Sequence, residues 1–365
     1  MEGTSGPGPE LGVSSNSVGS ISVAGRSSGS GPNEGRPSFW RRNAPAWLLV
    51  ALAITIPEFL TGSTPVLAIF LNPLSLLFLL GLYGCGALLV REAAVRWRKG
   101  WPTVLLLGGA YGILEEGFGT KTFFMSPSSA AGYLATYGHA IGVSWVWVVF
   151  ITSFHAVFSI GLPILLVGLV FPKTNGTRLV GNRGLLVLLG AFAVTVFAMF
   201  ELFNPADTPS GPVLLIFVLA VIGLVALAFI APARIPLWPV TRPMRSTTFV
   251  GIVGGLYVWL TFGVYWLFPR FVPIPGAVVA TGTAVALVCG LLVVREIQAG
   301  GPSHRLALAA GLLSFLLVFS VAVELGGDGL ALLATGAVLY LLFWTRRTLR
   351  VRSVAPPPGA LVGLV

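Results

Sequence analysis

Two adjacent carboxylates, Glu115 and Glu116, close an apolar run in the segment ILEEGFGTK (113–121), and His155 stands in the next apolar run, within SFHAVFS. Paired carboxylates beside an imidazole are the donor set for general acid–base work on water, and equally for ligating a divalent metal such as zinc. The chain has only 12 Asp and Glu in all. An ionised carboxylate deep in a bilayer costs at least about 2.5–3.5 kcal/mol, so it faces a partner, faces a water-filled cavity, or carries a proton.

The pair must be positioned by the helix that carries it. Gly108, Gly112 and Glu116 recur every fourth residue and so share one helix face. Glycines there admit a second helix at close range, which turns Glu116 into the bundle. Glu115 lies on a different stripe, with Gly108 and Tyr111. Neighbouring residues diverge by about 100° on an α-helix, so both carboxylates serve one small ion only if the helix unwinds, and the GFG that follows (117–119) makes unwinding accessible.

On the following helix Thr152, His155 and Ser159 form a polar stripe, and Pro163 frees the Ser159 carbonyl and bends the helix near His155. The segment 118–142 between the two helices reads as a lid over the site. Its His139 is a candidate second imidazole ligand. Glu58, Glu201 and Glu324 are the other acids in or near apolar runs. Glu116 and His155 are the leading metal ligands, and Glu201 or His139 would complete a set of three.

The elements themselves are membrane helices. Hydrophobic residues make up 55% of the chain and charged residues 9%, against about 25% charged in soluble domains. Ten apolar stretches are predicted as spans: 45–62, 71–91, 101–119, 142–170, 184–204, 211–232, 247–268, 274–294, 305–325 and 329–345. With the N-terminus inside, all but two of the 22 Lys and Arg, Lys121 and Arg270, fall on the cytoplasmic side. The fold class is therefore all-α, a polytopic transmembrane bundle of about ten spans with both termini cytoplasmic, in the plasma membrane. The net charge of +10 is accounted for by these loops and implies no nucleic-acid partner. The partner it does imply is the lipid bilayer.

Three regions follow: a Gly/Ser/Pro-rich tail over 1–39, expected to be disordered, a helical domain over 40–350, and a short C-terminal tail over 351–365. Trp145 and Trp147 stand near the outer end of the fourth span, where an aromatic belt is expected. Cys85 and Cys289 sit among apolar neighbours and suggest neither a disulfide nor a metal site. CGALLVRE (85–92) and CGLLVVRE (289–296) raise the question of a parallel duplication, as found in some transporters, against chance similarity between apolar segments.

EEGFGTK followed by SFHAVFS resembles the glutamate-type intramembrane protease superfamily, which includes the CAAX-processing and bacteriocin-processing family and the PrsW-like proteins. The resemblance implies that Glu115, Glu116 and His155 activate a water, with or without a metal, and that Lys121 stands for the family's basic residue. ELFN (201–204) falls where the third motif would lie and offers Glu201 and Asn204 in place of a histidine. Ile151 stands where the family has an aromatic, and the pair lies on an inside-to-outside helix, so a site here opens outward. EEGFGTKTFF, GVSWVW and FHAVFSIGLP also look like uncharacterised prokaryotic membrane proteins.

Three functions are compatible with these residues. The first is an intramembrane hydrolase acting on a peptide or a lipid. Its catalytic residues would be Glu115, Glu116 and His155, with Lys121, Glu201, Asn204, His139, Ser159 and Glu58 in support. The second is an ion- or proton-coupled carrier of small solutes, for which buried Glu and His are the usual coupling groups. The third is a scaffold or assembly subunit whose polar groups only lock helices together.

Overall fold

The computed structural model describes residues 39–125, 130–235, 244–327 and 330–354. Of the tail expected over 1–39, residues 1–38 lie outside the described chain, as do those beyond 354, and Phe39 already opens a helix. The separate C-terminal tail expected from 351 begins as helix, because the last helix continues to Val354.

Helices dominate the described chain. The first half holds α1 (Phe39–Ile54), α2 (Val66–Leu71), α3 (Pro73–Leu79), α4 (Cys85–Arg96), α5 (Trp101–Ile113), α6 (Trp145–Phe154) and α7 (Leu162–Val170). The second half holds α8 (Asn182–Leu202), α9 (Gly211–Ile230), α10 (Thr247–Trp266), α11 (Pro275–Ala299), α12 (Pro302–Leu325) and α13 (Ala331–Val354). One antiparallel pair, β1 (His139–Ala140) with β2 (Val143–Ser144), interrupts them, in the register His139 to Ser144. Among the described residues, seven helices are long and apolar enough to cross a membrane: Pro73–Arg96, Trp145–Val170, α8, α9, Thr247–Arg270, Pro275–Val293 and α12.

Burial sorts these helices into centre and periphery. In Trp145–Val170, 78% of the most apolar window is buried, against 11% for α8 and for α9, so the helix carrying His155 is the axis of the bundle. The outer helices leave Leu186, Phe197, Leu219 and Phe229 exposed, an apolar surface suited to a lipid bilayer. Small residues set the tightest crossings, as packing in lipid requires. A methyl group at Gly311 of α12 would lie 2.1 Å from the Gly251 carbonyl oxygen of α10.

Helix ends are satisfied locally. Ser246 accepts a hydrogen bond from the Phe249 N–H at 3.1 Å, opening α10, and Asn72 accepts one from Leu74 at the start of α3. Glu324 accepts from the Leu332 N–H at 3.1 Å, so this acid caps α13 and has no place in the site.

Candidate functional site

Four helices widen into π-helical turns, Thr55–Phe59, Leu80–Gly84, Leu114–Gly119 and His155–Gly161. Together they carry Glu58, Tyr83, the Glu115/Glu116 pair and His155. A π turn bonds i to i+5, is uncommon, and is concentrated at functional sites. Local chemistry accounts for two of them. Pro163 has no N–H to donate back into the helix that precedes it, and the wide turn ends just before it. In the Glu pair's helix, GFG offers little side-chain resistance to a wider coil.

The widening changes what the pair can reach. Where the sequence made local unwinding accessible, the helix dilates, and both carboxylates meet the same imidazole. His155 Nδ1 lies 3.0 Å from Glu115 Oε2, and Nε2 lies 2.9 Å from Glu116 Oε1. Ser159 Oγ stands 2.8 Å from Nδ1, so the polar stripe on this helix is part of the cluster. Close approach comes from the glycine face. Methyl groups at Gly108 and Gly112 would come within 2.8 Å of Ala156 Cα and 2.9 Å of His155 Cβ. Glu115, Glu116 and His155 are all buried, and one donor atom from each lies within 4.8 Å of the others.

A second layer surrounds this triad. The Thr122 hydroxyl donates to Glu116 Oε2, and the Trp147 indole N–H donates to Thr122 Oγ1 at 3.0 Å. Trp147 is therefore buried and hydrogen-bonded here, not part of an interfacial belt; Trp145 stacks on Phe217. The Tyr83 hydroxyl donates to Glu58 Oε1 and the Thr64 hydroxyl to Oε2 at 2.5 Å, which holds Glu58 in place. The rings of Tyr83 and Tyr111 lie 6.3 and 6.0 Å from the His155 ring. Gly86 leaves the space that the Tyr111 ring fills.

The charge in this cluster is unbalanced. Three carboxylates face one imidazole, and among the described residues no Lys or Arg pairs with any of them. Even an imidazolium would leave two negative charges in a medium that stabilises them poorly, so the site needs protons or a cation. Glu115 Oε2 is buried against His155 Nδ1 at 3.0 Å, and Thr152 Oγ1 is buried without a hydrogen-bond partner. A buried oxygen in that state calls for an ion or a water. Two carboxylates and one imidazole fit a divalent metal with a position left open.

The other candidates are placed elsewhere. Lys121 is fully buried with φ +60°, its Nζ 3.2 Å from the Asn204 carbonyl oxygen and 3.2 Å from Thr208 Oγ1. It thus ties the lid segment to the end of α8 and makes no contact with the carboxylates. Asn204 donates through Nδ2 to the Thr120 carbonyl at 3.0 Å, and Glu201 is exposed. His139 lies in the β1–β2 hairpin, its Nδ1 3.0 Å from Ser144 Oγ and 3.1 Å from the Ala135 carbonyl oxygen. Neither His139 nor Glu201 joins the metal-ligand group that the described residues form.

The lid segment is packed, not draped. Phe123, Leu134, Ala135 and Val143 are fully buried, and the Ser144 N–H donates to the Phe123 carbonyl at 2.9 Å. Residues 126–129 of this segment lie outside the described chain. Sequence reasoning missed Tyr83, Tyr111, Thr122 and Trp147. Thr122 had a signal, an unclaimed hydroxyl just beyond a buried acid, and Tyr111 had one in its place on the Glu115 stripe; Tyr83 sits in a π turn, which shifts the helical spacing.

No curated protein and no solved structure matches the chain. The match that exists carries no activity and gives no evidence for the glutamate-type protease superfamily. It runs over residues 47–360, nearly the whole helical region just described, and by it the chain belongs to an uncharacterized membrane protein family.

Proposed function

We propose that this protein is an intramembrane hydrolase built around Glu115, Glu116 and His155, with a divalent metal as the compensating charge. The observation that carries the reading is the donor set: two carboxylates and an imidazole, all buried, with one donor atom from each within 4.8 Å of the others. A metal bound there would polarise a substrate carbonyl and lower the pKa of a bound water. Glu116 and His155, through Nε2, would hold the metal, while Ser159 and Glu115 at Nδ1 would fix the ring. Without a metal Glu116 would be the general base, steadied by Thr122 on the oxygen that does not face His155. A peptide or a lipid is the substrate class.

The family resemblance to glutamate-type intramembrane proteases supports the pair and His155 alone, since Lys121, Glu201 and Asn204 do not reach them. A proton-coupled carrier is the second reading. Its specific support is that each ring nitrogen of His155 faces a different carboxylate, a geometry that can pass a proton from Glu115 to Glu116. We further propose ten spans in the plasma membrane, with both termini cytoplasmic, a disordered N-terminal tail over 1–39 and a short C-terminal tail.

Elemental analysis of purified protein separates the two readings. Stoichiometric zinc or a similar ion in the wild type, lost in folded Glu116→Gln and His155→Ala, is the expected result. Absence of metal from the wild type, together with dissipation of a pH gradient in proteoliposomes, would overturn the hydrolase in favour of the carrier.

A further inference from the structure

At the end of the bundle where α5 and α12 begin and α7 ends, two cavities adjoin. One, of about 480 Å³, is lined by Arg91, Arg98, Lys99 and Arg305, with no carboxylate among its lining residues. The other, of about 410 Å³, is almost wholly apolar and includes Leu105, Leu162, Ala286 and Leu308. Trp101 lines both. The two follow one another along the same helices: Arg305 lines the basic cavity, and Leu308 and Leu312, one and two turns further along α12, line the apolar one. The basic cavity is thus at the bundle's end and the apolar one deeper within it.

We infer that these two cavities are one site, which binds an anionic phospholipid with its phosphate held by Arg98 and Arg305 and an acyl chain in the apolar cavity. The cations are not spoken for equally. Arg91 is paired with Glu92 at 2.7 Å and donates to the Thr174 and Thr177 carbonyls, and Lys99 donates to the Ala231 carbonyl at 2.8 Å. Arg305 Nε is buried with no hydrogen-bond partner, and Arg98 has no ion-pair partner among the described residues. A guanidinium offers a planar fork of donors that matches phosphate oxygens.

Backbone geometry points the same way. Arg98 follows the end of α4 with φ +55°, in the left-handed region where glycine or asparagine is usual. An arginine at that position costs conformational energy and gains nothing from packing, because its side chain is exposed. Basic pockets between membrane helices at the interface are the general form of anionic headgroup sites. Each cavity falls within the roughly 300–1,000 Å³ of small-molecule sites. Their sequence, charge at the end and hydrocarbon within, matches the polarity of a lipid and not of a free phosphate. The inference is independent of the metal and proton readings, since neither cavity includes Glu115, Glu116 or His155.

The test is native mass spectrometry of delipidated, detergent-purified protein titrated with phosphatidylglycerol, phosphatidylcholine or inorganic phosphate. The wild type is expected to retain one phosphatidylglycerol in preference to phosphatidylcholine. The Arg98→Ala/Arg305→Ala variant is expected to bind it about tenfold more weakly, as for the loss of one or two charge-assisted hydrogen bonds. Ala286→Trp, which fills the apolar cavity and keeps both arginines, is expected to weaken the lipid as well. Equal retention by wild type and double variant overturns the headgroup assignment. Inorganic phosphate binding as tightly as the lipid, or an Ala286→Trp variant that binds normally, overturns the tail assignment. If the double variant does not fold, Arg98→Gln takes its place, because an exposed side chain without an ion-pair partner is dispensable to folding.

Discussion

At the scale of single residues, the site turns on hydroxyls that the sequence offered without emphasis. Thr122 donates to Glu116 and accepts from Trp147, so one methyl-for-hydroxyl exchange, Thr122→Val, leaves the buried Trp147 N–H unpaired and Glu116 Oε2 with the longer Thr120 bond alone. Leaving a buried donor or acceptor unpaired costs about 1–3 kcal/mol, and Thr122→Val is expected to lower the thermal unfolding midpoint accordingly. If Glu116 binds metal, the same variant weakens metal affinity roughly 10–100-fold without abolishing it, as measured by chelator competition. A normal affinity would show that Glu116 is not a ligand. Full loss of metal is expected only for Glu116→Gln and His155→Ala, whose folded state is checked by their helical circular dichroism.

At the scale of elements, the decisive feature is the approach of α5 to the π turn that carries His155. Gly112 has no room for a side chain there, whereas Gly190 on α8 has nothing within 4 Å of where one would go. Gly112→Leu is expected to destabilise by about 1–3 kcal/mol or more through overpacking and to part His155 from both carboxylates. Gly190→Leu, on a lipid-facing helix, is expected to leave stability and metal content unchanged. Equal effects of the two would show that the glycine face does not set the site. Much of this was legible in advance. The four-residue spacing of Gly108, Gly112 and Glu116 named the buried face, and Pro163 marked the disturbed helix. The π turns were not legible, because i to i+5 spacing leaves no hydrophobic period to read. That is why Tyr83 came to the site unannounced by pattern, whereas Glu58 was marked only as an acid in an apolar run. Nothing local in the sequence marks Lys121 as buried; its burial depends on the Asn204 carbonyl and the Phe200 ring, partners that lie far away along the chain.

At the scale of the whole molecule, seven helices among the described residues are long and apolar enough to cross, while the proposal holds ten spans. The difference lies in α1, the α5 helix and α13. The first two are short or interrupted by polar groups, and α13 ends in a basic turn. Thiol labelling of single cysteines decides it: Thr177→Cys is expected to react only from the cytoplasmic side and Ser210→Cys only from the outside. Reaction of both from one side would remove a span between them. The periphery bears on the surrounding medium as well. The α9 helix has 20 residues, a length of about 30 Å, and is exposed along nearly all of it. The α11 and α12 helices, with 25 and 24 residues, are longer than the same hydrocarbon layer. The α9 helix therefore offers a gauge of hydrophobic thickness, and α11, whose apolar stretch Pro275–Val293 has 19 residues, matches it with its polar end carried beyond the hydrocarbon. A bilayer thinned below the α9 length would strain this helix, and the strain would reach α5, against which α9 packs, and through it the carboxylate pair.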